Sequence, residues 1–234
     1  MQERLQKIIS KHGIVSRRQA EKLLEEGRVT VNGIPASLGQ SADDEMDQIT
    51  VDGVLLITAP EHVYLMLNKP RGYVTTLRDE KGRKNVSELV ADCRQRVYPV
   101  GRLDQYSEGL LILTNDGALT QRLTHPKGEV HKVYHVWISD YYDGAEEKLR
   151  HSIVIDGRKT IPAGVRILSR HGSNVIVEFT LYEGRNRQIR RLCEYSGITV
   201  TRLKRVSEGS LLLGDLPVGK WRYLSQEEIR ALQD

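Results

Sequence analysis

Apolar residues recur at helical spacing twice near the N-terminus. Leu5, Ile8 and Ile9 share one face, and after a break at His12-Gly13 the spacing returns in Ala20, Leu23 and Leu24. Ser16-Arg-Arg-Gln19 precedes the second set as a capping box, and Gly27 suits the position just past a helix. The period then shortens. Val29 and Val31 alternate as a strand, Asn32-Gly33 is a hairpin turn, and residues 49–55 form a later strand. This predicts a small α+β module over residues 1–58. A polar linker at 59–62, carrying Pro60, leads to a second domain over 63–234.

In the second domain residues 63–67 read as a strand, 68–72 as a loop, 73–76 as extended chain and 77–84 as a mobile charged loop. Residues 86–93 and 118–123 predict short helices. Between these helices, the apolar run 110–113 has the length of a buried strand, and Thr114-Asn-Asp-Gly117 closes it with turn chemistry. A loop at 124–128 leads to an alternating strand at 129–138, with Lys132 and Tyr134 on one face and Val133 on the other. Residues 141–151 read as a helix, and 163–168 and 174–181 as strands of one sheet. A helix is expected to begin after Gly184 with Ile189 and Leu192 facing inward. A cation-bearing strand at 200–206 and a helix opened by Ser225-Gln-Glu-Glu228 complete the chain.

Composition narrows the class. With 39% hydrophobic and 28% charged residues, the 234-residue chain reads as a soluble globular protein. Cys93 and Cys193 match no metal spacing and suit a reducing compartment. The N-terminus lacks a signal peptide's apolar core and no run approaches a membrane span, so a cytoplasmic protein is expected, and a monomer because no exposed apolar stripe suggests a partner helix. The net charge is only +4, but it is unevenly placed. Between residues 183 and 205 seven cations face two acids. In the first module Arg4, Lys7, Lys11, Arg17, Arg18, Lys22 and Arg28 precede position 30, while Asp43, Asp44, Glu45, Asp47 and Asp52 follow it. These cations are solvated helix faces or a phosphate-binding helix-turn-helix face.

Candidate chemistry gathers around Pro99-Val-Gly-Arg-Leu-Asp104, a polar loop set against the buried run 110–113. On residues alone Asp104 is a turn or ion-pair residue, or a carboxylate fixed for catalysis. Tyr134 is a core filler or a ring that lies under a nucleobase. The Asn68-Lys-Pro-Arg-Gly72 loop is a basic turn or a phosphate contact.

These segments, in this order, resemble a known family. Residues 4–33 resemble the S4-type RNA-binding domain, running from Arg4-Leu through Val15-Ser-Arg-Arg18 to Glu26-Gly-Arg-Val-Thr-Val-Asn-Gly33. Asn68-Lys-Pro-Arg-Gly72, Gly101-Arg-Leu-Asp104, Lys132-Val-Tyr134, Glu183-Gly-Arg-Asn-Arg-Gln-Ile-Arg-Arg191 and Arg202-Leu-Lys-Arg-Val206 resemble the bacterial ribosomal-RNA pseudouridine synthases of the RsuA type. The large-subunit branch is the closer match. The resemblance implies an α+β fold, in which an S4-type domain precedes a catalytic domain on a mostly antiparallel mixed sheet with flanking helices. It implies isomerisation of a uridine to pseudouridine with no cofactor and no metal, on ribosomal RNA or a subunit assembly intermediate.

The resemblance also assigns residues. Asp104 is the nucleophile, Tyr134 packs on the uracil and is a candidate base for the carbon-5 proton, and Arg190 pairs with Asp104. Ile189 packs on the base, and Lys69, Arg71, Arg102 and Arg185 hold phosphates. Arg4, Arg17, Arg18, Lys22 and Arg28 bind RNA from the first module. Tyr106 and Glu108 depart from the usual residues beside the Asp. Two rivals stand at this point: a glycosidase using Glu108 or Glu183 as second acid, and a non-catalytic RNA-binding assembly factor.

Overall fold

The computed structural model describes residues 1–57, 59–125 and 130–233. The chain divides into two compact units. One comprises Met1–Val63, Arg94–Arg96 and Asn115–Gly117, and the other the remainder.

In the first unit β1 (Gln2–Arg4) leads into α1 (Leu5–Lys11), and α2 (Arg17–Glu25) follows. The capping box at Ser16 and Gln19 forms as the spacing predicts. Short strands follow: β2 (Val29–Val31), β3 (Ile34–Pro35), β4 (Ser41–Asp43), β5 (Ile49–Val51) and β6 (Val54–Leu55). The expected single strand at 49–55 is thus a hairpin. Asp52 and Gly53 both take positive φ, the geometry of a two-residue turn that matches strand twist. Sheet order is β3-β2-β5-β6, with β1 and β4 paired separately. Leu5, Ile8, Ile9, Ala20, Leu23 and Leu24 close over Val29, Ile49 and Val51 to form the core.

The second unit is built on β7 (Tyr64–Lys69), β8 (Tyr98–Pro99), β9 (Glu108–Thr114), β10 (Lys132–Ser139), β13 (Gly164–His171), β14 (Asn174–Leu181), β15 (Thr199–Glu208), β16 (Leu211–Leu212) and β17 (Trp221–Tyr223). Between β10 and β13 the separate hairpin β11 (Val154–Ile155) and β12 (Arg158–Lys159) intervenes. The large sheet runs β13-β14-β10-β15-β9-β7-β17, with β16 on β15 and β8 on β9. All its pairings are antiparallel except β15 with β9. The helices are α3 (Gly117–Thr124), α4 (Ala145–Arg150), α5 (Gln188–Tyr195) and α6 (Gln226–Gln233).

Every residue of β9 is buried, which is why its apolar run shows no alternation. Met66, Val100, Leu119 and Leu123 cluster with its Leu110 and Ile112.

Several expectations are corrected. Residues 73–76 form no strand, only a single bridge from Val74 to Asn85. The 86–93 helix is a 3₁₀ turn, Val86–Val90. The 141–151 helix is confined to Ala145–Arg150, because Gly144 adopts a left-handed conformation just before it. The helix after Gly184 begins only at Gln188, since Arg187 also takes positive φ. Part of the expected 124–128 loop and the start of the 129–138 strand lie outside the described residues.

Candidate active site

The loop before β9 is held through its backbone. Lys69, fully buried at the end of β7, donates from its ammonium to the carbonyls of Pro70, Asp104 and Ser107 at 3.2, 3.1 and 2.9 Å. The Thr75 hydroxyl donates to the Leu103 carbonyl at 2.6 Å, and Gly72 N–H donates to the Gln105 carbonyl at 2.7 Å. Burial lowers the Lys69 pKa to about 8, with Asp104 and Glu108 opposing. Lys69 was expected to hold a phosphate. The structure corrects this, because its donors are consumed by carbonyls in the interior.

Asp104 sits half-buried on this loop and lines a cleft of about 500 Å³. Among the described residues its carboxylate has no hydrogen bond or ion pair.

Tyr134, Lys132, Arg205 and Glu208 line the same cleft from β10 and β15. A bulge brings them together. Val133 is opposite Ser207, but Tyr134 is opposite Arg205, so Val206 is skipped. Without that extra residue, Tyr134 would face the position whose side chain points away. Arg205 is almost fully buried, donates from Nε to the Leu110 carbonyl at 2.7 Å and pairs with Glu208 at 3.2 Å. Lys132 approaches Glu208 at 3.6 Å. Burial raises the Tyr134 pKa, with Arg205 opposing. Burial works against the Arg205 charge, but Glu208 and Tyr134 outweigh it and the guanidinium is held ionised.

From α5, Ile189 faces the cleft and Leu192 packs inward, as the periodicity predicts. Arg190 also lines the cleft, but it forms no ion pair with Asp104 among the described residues. Its Nη groups donate to the carbonyls of Tyr106 at 3.2 Å and Val200 at 3.5 Å. Burial lowers its pKa, helped by Arg187, while Asp104 opposes. The expected carboxylate partner is therefore a second anchor for the loop, gripping it two residues beyond Asp104. Burial pushes the nearby Cys193 thiol up to about 12, which leaves it protonated and inert.

The remaining cations divide. Arg71 and Arg102 are exposed and form no ion pair among the described residues. Arg185 instead pairs with Glu183 at 2.8 Å and donates to the carbonyls of Ile155 and Lys159, which corrects its expected phosphate role. In the first unit Arg4, Arg17, Arg18 and Lys22 are exposed and form no ion pair among the described residues. Arg28 is corrected: its fork is taken by Asp52 and Glu26. The acidic block also folds back, as Asp44 pairs with Lys11 and His12.

Neither rival acid is free. Glu108 is buried and accepts from Arg202 at 2.8 Å. Glu183 accepts from Ile161 N–H, Gln188 and Arg185. Among the described residues no cluster of three or more His, Cys, Asp or Glu could hold a metal ion.

Sequence reasoning did not place Arg205 in the site. Arg205 carried a signal in its buried parity with Leu203, but it reads as one more surface cation in a basic strand.

Residues 63–195 match the family model described as RNA pseudouridylate synthase, and residues 3–49 match the S4 domain. An uncharacterized RNA pseudouridine synthase of Aquifex aeolicus is 42% identical, over 99% of this chain and 94% of that protein. Ribosomal large subunit pseudouridine synthase B of Bacillus subtilis is 41% identical, over 99% and 96% respectively. A crystal structure of a pseudouridylate synthase superposes with a TM-score of 0.69 at 30% identity, covering 98% of this chain and 99% of that one.

Proposed function

The chain belongs to the RNA pseudouridylate synthase family, and from that premise we propose that it converts a uridine of large-subunit ribosomal RNA to pseudouridine with Asp104 as nucleophile. One observation carries the assignment to Asp104. Its carboxylate faces the cleft without a protein partner, on a loop fixed by Lys69 and Arg190. The choice of large-subunit RNA rests on the name and 41% identity of the Bacillus subtilis relative.

The target uridine leaves its stack to enter the cleft, at a cost of a few kcal/mol. Exposed Arg17, Arg18 and Lys22 of the S4 unit and Arg71 and Arg102 of the catalytic unit offset that cost by neutralising phosphates. In the cleft, Tyr134 and Ile189 pack on the base. The N1 glycosidic bond breaks with Asp104 taking the ribosyl carbon. The base turns, and the bond from uracil carbon 5 to the ribosyl carbon forms as the Asp104–carbon bond breaks, which returns the carboxylate. The carbon-5 proton leaves, Tyr134 being the group placed to take it, and N1 regains a proton, so nothing external is consumed. Arg205 beside the Tyr134 hydroxyl favours its ionised form against the effect of burial.

A non-catalytic assembly factor would need the basic surfaces but not an unpartnered Asp104 in a cleft. The glycosidase reading fails because Glu108 and Glu183 are both occupied. We take the protein to act in the cytoplasm as a monomer. Among the described residues no helix is long and apolar enough to cross a membrane.

Large- and small-subunit RNA carrying tritium at uracil carbon 5 tests the reading. Release by the native protein from large-subunit RNA, absent with Asp104→Asn, supports it. Release from neither RNA nor assembly intermediates overturns it.

A further inference from the structure

The hairpin β11–β12 lies outside the large sheet, yet it is tied down firmly. Asp156 and Gly157 close it with positive φ at both turn residues. Arg185 reaches across from the 183–187 loop. Its Nη1 donates to the Ile155 carbonyl at 3.4 Å and its Nη2 to the Lys159 carbonyl at 3.1 Å, one from each strand. Arg191 pairs with Asp156 at 3.2 Å, and buried Ile155 packs beneath.

These ties consume the local anions. Glu183 is saturated by Arg185, Gln188 and Ile161 N–H, and Asp156 is taken by Arg191. Arg158 is left exposed on the hairpin and lines the cleft that holds Asp104, and its guanidinium has no ion pair or hydrogen bond among the described residues. A free guanidinium on this tied-down arm, lining the cleft that holds Asp104, fits a phosphate, which its planar fork binds with two hydrogen bonds.

Building on the RNA-modifying reading, we propose that the β11–β12 hairpin is a backbone-recognition arm, with Arg158 contacting a phosphate next to the target uridine and Arg185 positioning the arm. Arg185 then influences RNA affinity without touching RNA.

The test measures RNA affinity against salt for the full chain and for Arg158→Gln, Arg185→Gln and the double variant, with tritium release at saturating RNA alongside. Arg158→Gln should weaken binding about 5–10-fold near 0.1 M salt and flatten the log–log salt slope by about 0.7–0.9, the value of one phosphate contact. Its defect should appear in KM and not in kcat. Arg185→Gln should reproduce the affinity defect, and the double variant should be no weaker than Arg185→Gln alone, because both act through one contact.

A native salt slope in Arg158→Gln overturns the proposal, as does full additivity in the double variant. If the native protein releases tritium while Arg158→Gln binds normally, the arm fails and the enzymatic reading stands. If the native protein neither binds nor modifies RNA, both fail together.

Discussion

A Cβ built on Gly109 would lie 2.2 Å from the carbonyl oxygen of Arg205. This contact belongs to the parallel pairing of β9 with β15, where Gly109 is opposite Arg205 and has φ +103°. It joins the strand that follows Asp104 to the strand that carries Arg205. Gly109→Ala should cost about 3 kcal/mol or more, combining a strained backbone with a backbone clash. Urea unfolding measures this. An unchanged midpoint would mean that the strands part freely.

Asp104→Asn should be nearly silent for folding, within about 0.5 kcal/mol, because the carboxylate has no protein partner to lose. The same variant should release no tritium while binding RNA at native affinity. Coupled loss of stability and activity would show that the carboxylate is structural.

Lys69→Met removes three hydrogen bonds to loop carbonyls. Its effect should depend on pH in a defined direction. The native ammonium titrates near pH 8, below its unfolded value of 10.5, because burial disfavours the charge. Between those values the unfolded chain binds more protons, so this group's contribution to stability rises with pH, by at most about 1.4 kcal/mol per unit. The native-minus-variant difference in unfolding free energy should therefore grow from pH 8 to 10. A flat difference would remove burial as the cause.

Tyr134→Phe keeps the ring and its buried packing but loses the hydroxyl. RNA affinity should hold, while single-turnover tritium release falls by about 10²-fold or more. Native turnover in this variant would reduce Tyr134 to a stacking surface.

Arg190→Gln frees the carbonyls of Tyr106 and Val200. Loosening the loop by about 1 Å should lower kcat by about 10–10²-fold and leave KM close to native. A pure KM defect would instead place Arg190 on the RNA.

The fold was largely legible where one rule governed a segment. Leu5, Ile8 and Ile9, the capping box at Ser16, and the unbroken run of β9 each follow from periodicity or local hydrogen bonding alone. What escaped depends on tertiary partners. The same residue type, arginine, serves as a free surface cation at 102, a hairpin clamp at 185, a loop anchor at 190 and a buried charge at 205. No local pattern separates these roles, because each is set by which carbonyl or carboxylate the fold brings within reach. The bulge that skips Val206 is likewise invisible to alternation, yet it decides that Tyr134 meets Arg205. The enclosed position of Lys69 follows from the loop that wraps it, and the segment Lys69-Pro-Arg-Gly72 carries no trace of that enclosure.

Asp104, the proposed nucleophile, is located by its main chain and left unclaimed at its side chain. Its placement therefore does not depend on a salt bridge to its own carboxylate. During turnover a carboxylate that attacks carbon surrenders its negative charge and later recovers it. A side chain held by a salt bridge would have its tether weakened at the moment of attack. Here the grip is on amide oxygens whose charge does not change, so under the proposed mechanism the loop can remain still while the acid cycles between anion and ester.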